Sequence, residues 1–284
     1  MGDWSLEIPA AERGGPAFVF RKYTPPFLIS EWVILRYIYA WAQMCGWHLR
    51  GTNMELEYGL PKDRVKPKSN YVPWEADEEF LTARSKIADL TIVDRMRGYE
   101  LWRLVRQLSK VPGDIIEVGA WKGGTGLLLA QAALSFERPC DIFLCDTFKG
   151  IVNASDRDPR YVGTELADCS ASEVRERATA LGLENVIVVE GVFPEETGNV
   201  VARRHFRFAH IDVDVYLSAK KSFNAIWNCL VPGGVLVFDD YGFVDCAGVT
   251  NFVNEEVVGH PGLLMIHNLN GHAVVVKTCA FKAA

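Results

Sequence analysis

From residue 75 onward, short apolar runs alternate with longer segments whose apolar positions recur at helical spacing. The runs DIIEVG (114–119), CDIFLCD (140–146), NVIVVEG (185–191), RFAHIDVD (207–214) and GGVLVFDD (233–240) have the length and β-branched content of buried strands. Segments near 125–136, 171–181 and 218–230 separate them and read as helices. Two further helical patterns, 75–90 and 93–111, precede the first strand; the first opens acidic and the second closes basic. Such alternation predicts an α/β fold with a parallel sheet covered on both faces. The last two runs, LLMIHN (263–268) and HAVVVK (272–277), are separated only by a short turn containing Asn270-Gly271, a hairpin signal. The expected sheet therefore has five parallel strands and a terminal antiparallel hairpin.

Residues 1–74 lack this rhythm. Segment 51–74 reads as a proline-punctuated connection, and 27–47 is long and apolar but interrupted by Glu31 and Arg36. Its uncharged remainder is too short for a bilayer span, so it reads as a helix buried against a partner subunit or the core. The expected organisation is an N-terminal extension, 1–74, serving oligomerisation or as a lid, followed by one domain, 75–284. A homo-oligomer is expected from the apolar helix.

Composition narrows the function. The chain is 284 residues long and 49% hydrophobic, enough for a large core. Its net charge is −6 and it has no basic run, which argues against a nucleic-acid partner. Seven cysteines, an odd number without CxxC spacing, read as buried reduced thiols. With a polar, acidic opening in place of a signal peptide, this predicts a cytoplasmic protein.

Two places carry candidate chemistry. IIEVGAWKGGTG (115–126) leads from a strand into a helix, where Gly119, Gly123, Gly124 and Gly126 permit a tight turn and a ligand close to the backbone. Its spacing is ExGxxxG, not the GxGxxG dinucleotide fingerprint. Asp146 ends the second strand, where an acid can accept hydrogen bonds from both ribose hydroxyls or cap the turn DTFKG. The second place is a set of aspartates at the ends of the fourth and fifth strands, Asp212, Asp239 and Asp240. Neighbouring strands lie about 4.8 Å apart, so three carboxylates could reach one divalent ion. Without a cation they would repel one another; helix capping is the plainer alternative. Asp214 reads as a supporting residue. His210, inside a strand, reads as a core histidine, and His272 as structural; Trp121 either leans on a cofactor or packs.

IIEVGAWKGGTG, DTFKG, HIDVDVYLSAKKSF, LVPGGVLVFDDYG and NLNGHAVVVK together resemble the macrocin O-methyltransferase family, across about residues 88–278. Its members include enzymes that methylate deoxysugars of macrolide and aminocoumarin antibiotics. The resemblance implies a class I S-adenosylmethionine (SAM)-dependent methyltransferase fold, Rossmann-like, with seven strands. It implies SAM as cofactor, bound around Thr91, Glu117, Gly119, Gly123, Thr125, Asp146 and Asp212. It also implies Mg²⁺, with Mn²⁺ as a substitute, on Asp212, Asp239 and Asp240, and Asp212 as general base. The acceptor would be a hydroxylated small molecule. One departure concerns the acceptor: where the antibiotic-sugar enzymes more often carry a basic residue, this chain has Thr250.

Four other functions compete. A nucleic-acid methyltransferase of the same fold would carry an NPPY-like segment after the fourth strand, where this chain has DVDVY, and its net charge is acidic. A catechol-type methyltransferase would place a lysine three residues past the first aspartate, where this chain has Val215. An NAD-dependent oxidoreductase predicts neither the three aspartates nor the hairpin. A non-catalytic oligomeric scaffold predicts no effect of Asp212→Asn on metal binding.

Overall fold

The computed structural model describes residues 69–278. The expectations for the N-terminal extension, including the apolar segment 27–47, lie outside the described residues.

After a short 3₁₀ turn at Pro73–Glu75 come helices α1 (Glu78–Ser85) and α2 (Arg95–Gln107). Each starts where an aspartate caps it: Asp77 accepts from the Phe80 amide, and Asp94 from the amides of Met96 and Arg97. Strand β1 (Asp114–Val118), helix α3 (Gly124–Ala133) and strand β2 (Ile142–Asp146) follow. Next come α4 (Ala171–Ala180), opened by a Ser170/Glu173 capping box, β3 (Val186–Glu190) and the single turn α5 (Gly198–Val201). Strand β4 (Phe206–Ile211), helix α6 (Tyr216–Trp227) and strand β5 (Leu230–Phe238) lead to α7 (Ala247–Phe252), a π turn at Val253–Val257, and the hairpin β6 (Leu263–His267) and β7 (Ala273–Lys277).

The seven strands lie in the order β3-β2-β1-β4-β5-β7-β6. β1 to β5 pair in parallel, whereas β7 is antiparallel to both β5 and β6. One face packs on Phe80, Leu101, Trp102 and the wholly buried α3; the other on Phe206, Phe223, Phe238 and Phe252.

Three details differ from the sequence pattern. The fourth strand stops at Ile211, not 214, because Asp214 takes a left-handed φ of 62° and the Val215 amide turns back onto the Val213 carbonyl. The fifth begins earlier, at Leu230, and accommodates Pro232 and Gly233 by a register shift against β4. The hairpin forms, but its loop runs from Asn268 to His272. Asn268, Asn270 and His272 each bind the carboxylate of Glu100 on α2, which opens the turn beyond the two-residue form.

Candidate active site

The chain leaves β1 at Val118 and must turn under β4. Gly119 makes this turn with φ 93°, and a Cβ there would stand 1.6 Å from the Asp212 carbonyl oxygen, so only glycine fits. The other loop glycines answer to the protein's own packing: a Cβ on Gly123 would strike Val174 of α4, and one on Gly124 the Leu90 carbonyl. The Leu90 carbonyl accepts the Gly124 amide, and Thr91 Oγ1 lies 2.9 Å from Thr125 Oγ1. Thr91 thus straps the start of α3, and neither Thr91 nor Thr125 lines the cleft described next.

That cleft, about 570 Å³ with its open mouth, lies beyond the ends of β1, β2 and β4. Gly119, Trp121, Asp146, Phe193, Asp212 and Asp214 line it. Asp146 stands at its rim and already accepts two backbone amides, Trp121 N at 2.8 Å and Phe148 N at 2.7 Å. The turn-capping role is therefore real, and each oxygen keeps a further lone pair for a ligand hydroxyl. Burial pushes the carboxyl above its usual range, against these hydrogen bonds. Trp121 has φ 45°, a strained value for an aromatic residue, and its indole donates to Asp168 Oδ1 at 2.6 Å. The cleft thus brings together a close-approach backbone at Gly119, an acid at the second strand tip and an aromatic side chain.

Glu117 sits beneath the glycine loop. It is 0% exposed and binds His210 Nδ1 at 2.9 Å, inside the sheet. It supports the loop from below, because period-two alternation turns its side chain away from the cleft. His210 is accordingly a core histidine.

Beside the cleft, Asp212, Asp239 and Asp240 place carboxylate oxygens within 4.8 Å of one another. Asp239 and Asp240 are only 2% and 9% exposed, and Asp240 Oδ2 is buried without a hydrogen-bond partner. Burial, then repulsion from neighbouring carboxylates, raises the pKa of both Asp212 and Asp240. Asp239 moves down despite burial, because His272 and Arg97 contact it: Arg97 Nη1 donates to Oδ1 at 2.5 Å, and His272 Nε2 lies 2.9 Å from the same oxygen. An orphaned buried oxygen among convergent hard donors suits a divalent cation. His272, read from the sequence as merely structural, belongs to this cluster.

Arg97, Tyr161 and Asp158 escaped the sequence reading, whereas Asp214 and Thr250 were named in it. Arg97 comes from a helix 142 residues earlier, and nothing in its local pattern marks it. Asp214 accepts a hydrogen bond from Tyr161 at 2.8 Å. Asp158, 1% exposed, accepts the Tyr216 amide at 2.7 Å and the Ser155 amide and hydroxyl, tying the 150–170 loop to the start of α6. Thr250 accepts the Gly242 amide at 2.8 Å and holds the turn after Asp240. None of the five described cysteines is in a disulfide.

A profile of the macrocin-O-methyltransferase (TylF) family matches residues 74–270. A relative from Streptomyces olivaceus, named 8-demethyl-8-(2,3-dimethoxy-alpha-L-rhamnosyl)-tetracenomycin-C 4'-O-methyltransferase, is 25% identical over 146 residues, 48% of this chain. The matched stretch spans 56% of that relative's length. Among solved structures, the O-methyltransferase NovP superposes with a TM-score of 0.56 at 20% identity, over 67% of this chain and 83% of that one. The calicheamicin methyltransferase CalS11 gives 0.56 at 19% identity, over 75% and 98%. These two likenesses establish a shared fold.

Proposed function

Because the chain belongs to the macrocin O-methyltransferase family, we propose that it moves a methyl group from S-adenosylmethionine to a hydroxyl of a sugar or similar polyhydroxylated small molecule. A divalent cation, Mg²⁺ or Mn²⁺, would be held by Asp212, Asp239 and Asp240. The sugar class is supported by the Streptomyces olivaceus relative, whose name specifies a rhamnosyl acceptor.

The observation that carries this reading is the position of Asp212. It lines the cleft and is also one corner of the carboxylate cluster. Methyl transfer is an in-line displacement in which placement supplies much of the rate, so donor and acceptor sites must share a boundary. When bound, SAM would supply the electrophilic methyl, and a divalent cation would supply Lewis acidity toward the acceptor.

The chain's own residues do the rest. The Gly119 backbone admits the cofactor closely, and Asp146 offers its remaining lone pairs to ribose hydroxyls. Arg97 and His272 fix the Asp239 carboxylate from behind. Asp212, at the boundary of cleft and cluster, is placed to take the hydroxyl proton. Val215, fully buried at the start of α6, leaves the catechol-type lysine position without a base.

No helix among the described residues is long and apolar enough to cross a membrane. We place the enzyme in the cytoplasm as a homo-oligomer, on the sequence grounds given above.

Labelled SAM with a panel of rhamnosyl and other deoxysugar glycosides, with and without Mg²⁺, tests the proposal. Methyl transfer that EDTA abolishes and Mg²⁺ restores is expected. Full turnover in metal-free enzyme would refute the cation's role, and absence of SAM binding would refute the reading as a whole.

A further inference from the structure

A second convergence of donors lies behind Asp239. His210, Asp239 and His272 each offer one ligand atom, and the three atoms lie within 4.8 Å of one another. All three side chains are buried, at 0%, 2% and 0% exposure. They come from β4, the end of β5 and the loop entering β7, which are neighbours in the sheet.

The way the two imidazoles are held points to a ligand. His210 Nδ1 lies 2.9 Å from Glu117 Oε1, and His272 Nδ1 lies 2.5 Å from Glu100 Oε2. With Nδ1 of each ring committed to a carboxylate, Nε2 is the nitrogen left to ligate. Both Nε2 atoms are buried; His210 Nε2 has no partner, and His272 Nε2 faces Asp239 Oδ1 at 2.9 Å, a contact that an ion between them would replace. A carboxylate on the far nitrogen is the arrangement that orients a metal-binding imidazole and raises its basicity.

His272 Nε2 and Asp239 Oδ1 are 2.9 Å apart; a tetrahedral ion ~2.1 Å from each would hold them roughly 3.4 Å apart, so binding parts them by about half an ångström. Arg97 Nη1 shares that oxygen at 2.5 Å, and Asp239 retains a second one, so guanidinium and ion need not exclude each other. Charge favours a further cation as well. Asp212, Asp214, Asp239, Asp240 and Glu117 gather here, and among the described residues Arg97 is the arginine or lysine that hydrogen-bonds to this group.

We infer that His210, His272 and Asp239 form a binding site for a divalent first-row transition-metal ion such as Zn²⁺. Two nitrogens and one oxygen distinguish it from the all-oxygen set of Asp212, Asp239 and Asp240, which suits Mg²⁺. Its burial makes it a structural site that staples β4 to the Asn268–His272 loop, with Asp239 common to both ions. The inference stands whether or not the chain transfers methyl groups.

The test uses the full chain, stripped with a chelator and kept in excess Mg²⁺. Imidazole ¹⁵N shifts are recorded while Zn²⁺ is added. One equivalent should move the Nε2 resonances of two of the six histidines to metal-bound positions. His210→Gln and His272→Asn should each weaken Zn²⁺ binding about 10-fold or more, and Glu100→Gln roughly 10-fold. Glu184→Gln, an exposed carboxylate remote from the cluster, should leave it unchanged. Because the imidazole shifts are read on the unsubstituted protein, misfolding of a variant does not obscure the answer. Unmoved imidazole resonances, or Zn²⁺ affinity lost equally in Glu184→Gln, would overturn the inference.

Discussion

Gly119 and Asp212 are in such close contact that a single added methyl group would stand 1.6 Å from the Asp212 carbonyl oxygen. Gly119→Ala must therefore push the β1–α3 turn off the end of β4, in a backbone region alanine resists. A stability loss of roughly 1–3 kcal/mol is expected from that strain. SAM affinity should fall by at least about 10-fold, since 1.4 kcal/mol of lost contact is already that factor. Urea denaturation and calorimetric SAM titration check the two effects separately.

Arg97 pairs with Asp239 where side-chain exposures are 9% and 3%. Removing one partner of a buried pair typically costs about 3–5 kcal/mol, because the remaining charge is left uncompensated. Arg97→Met should lower the melting temperature accordingly, and added Mg²⁺ should recover more of the loss than it adds to the wild type. Equal Mg²⁺ shifts in both proteins would show that Asp239 does not face the cation.

Asp94 caps α2 and binds Arg97 Nε at 2.7 Å. Against the upward push of burial, these hydrogen bonds hold its carboxyl below the usual range. A depressed folded-state pKa gives stability that is complete above the unfolded value and fades as pH falls through the folded one. The stability difference between wild type and Asp94→Asn should be flat above about pH 5, near 1 kcal/mol, and shrink toward pH 3. Denaturation curves at stepped pH measure it.

Asp158 gathers the Tyr216 amide and two groups of Ser155. Asp158→Ala strands the buried Tyr216 amide, at a cost of about 1–3 kcal/mol, and releases the exposed Ser155. Ile151, Val152 and Leu166 of the same loop line the cleft, so KM for SAM should rise more than kcat falls. Steady-state kinetics at saturating acceptor distinguish this from a general loss of folding.

The sheet was legible because each strand is a dense apolar run bounded by turn residues, and the hairpin because Asn270-Gly271 leaves little else to form. Asp212, Asp239 and Asp240 were legible because charges at the tips of buried strands have few innocent uses. Arg97 was not: it sits in an ordinary amphipathic helix, and only the crossing of α2 over the sheet brings it to Asp239. Glu117, an acid before a glycine loop, reads as a ligand. Strand alternation, applied one residue further, places it inside the sheet against His210. The 150–170 loop was unreadable because Asp158, its anchor, binds a helix end 58 residues away.

If both proposed ligands bind, Asp212, standing in the cleft and in the cluster at once, couples them, and such coupling is thermodynamically reciprocal. Any factor by which the cation tightens the nucleoside must equal the factor by which the nucleoside tightens the cation. Neither dissociation constant is then a property of its own site, and a value measured for one ligand holds only at the stated concentration of the other.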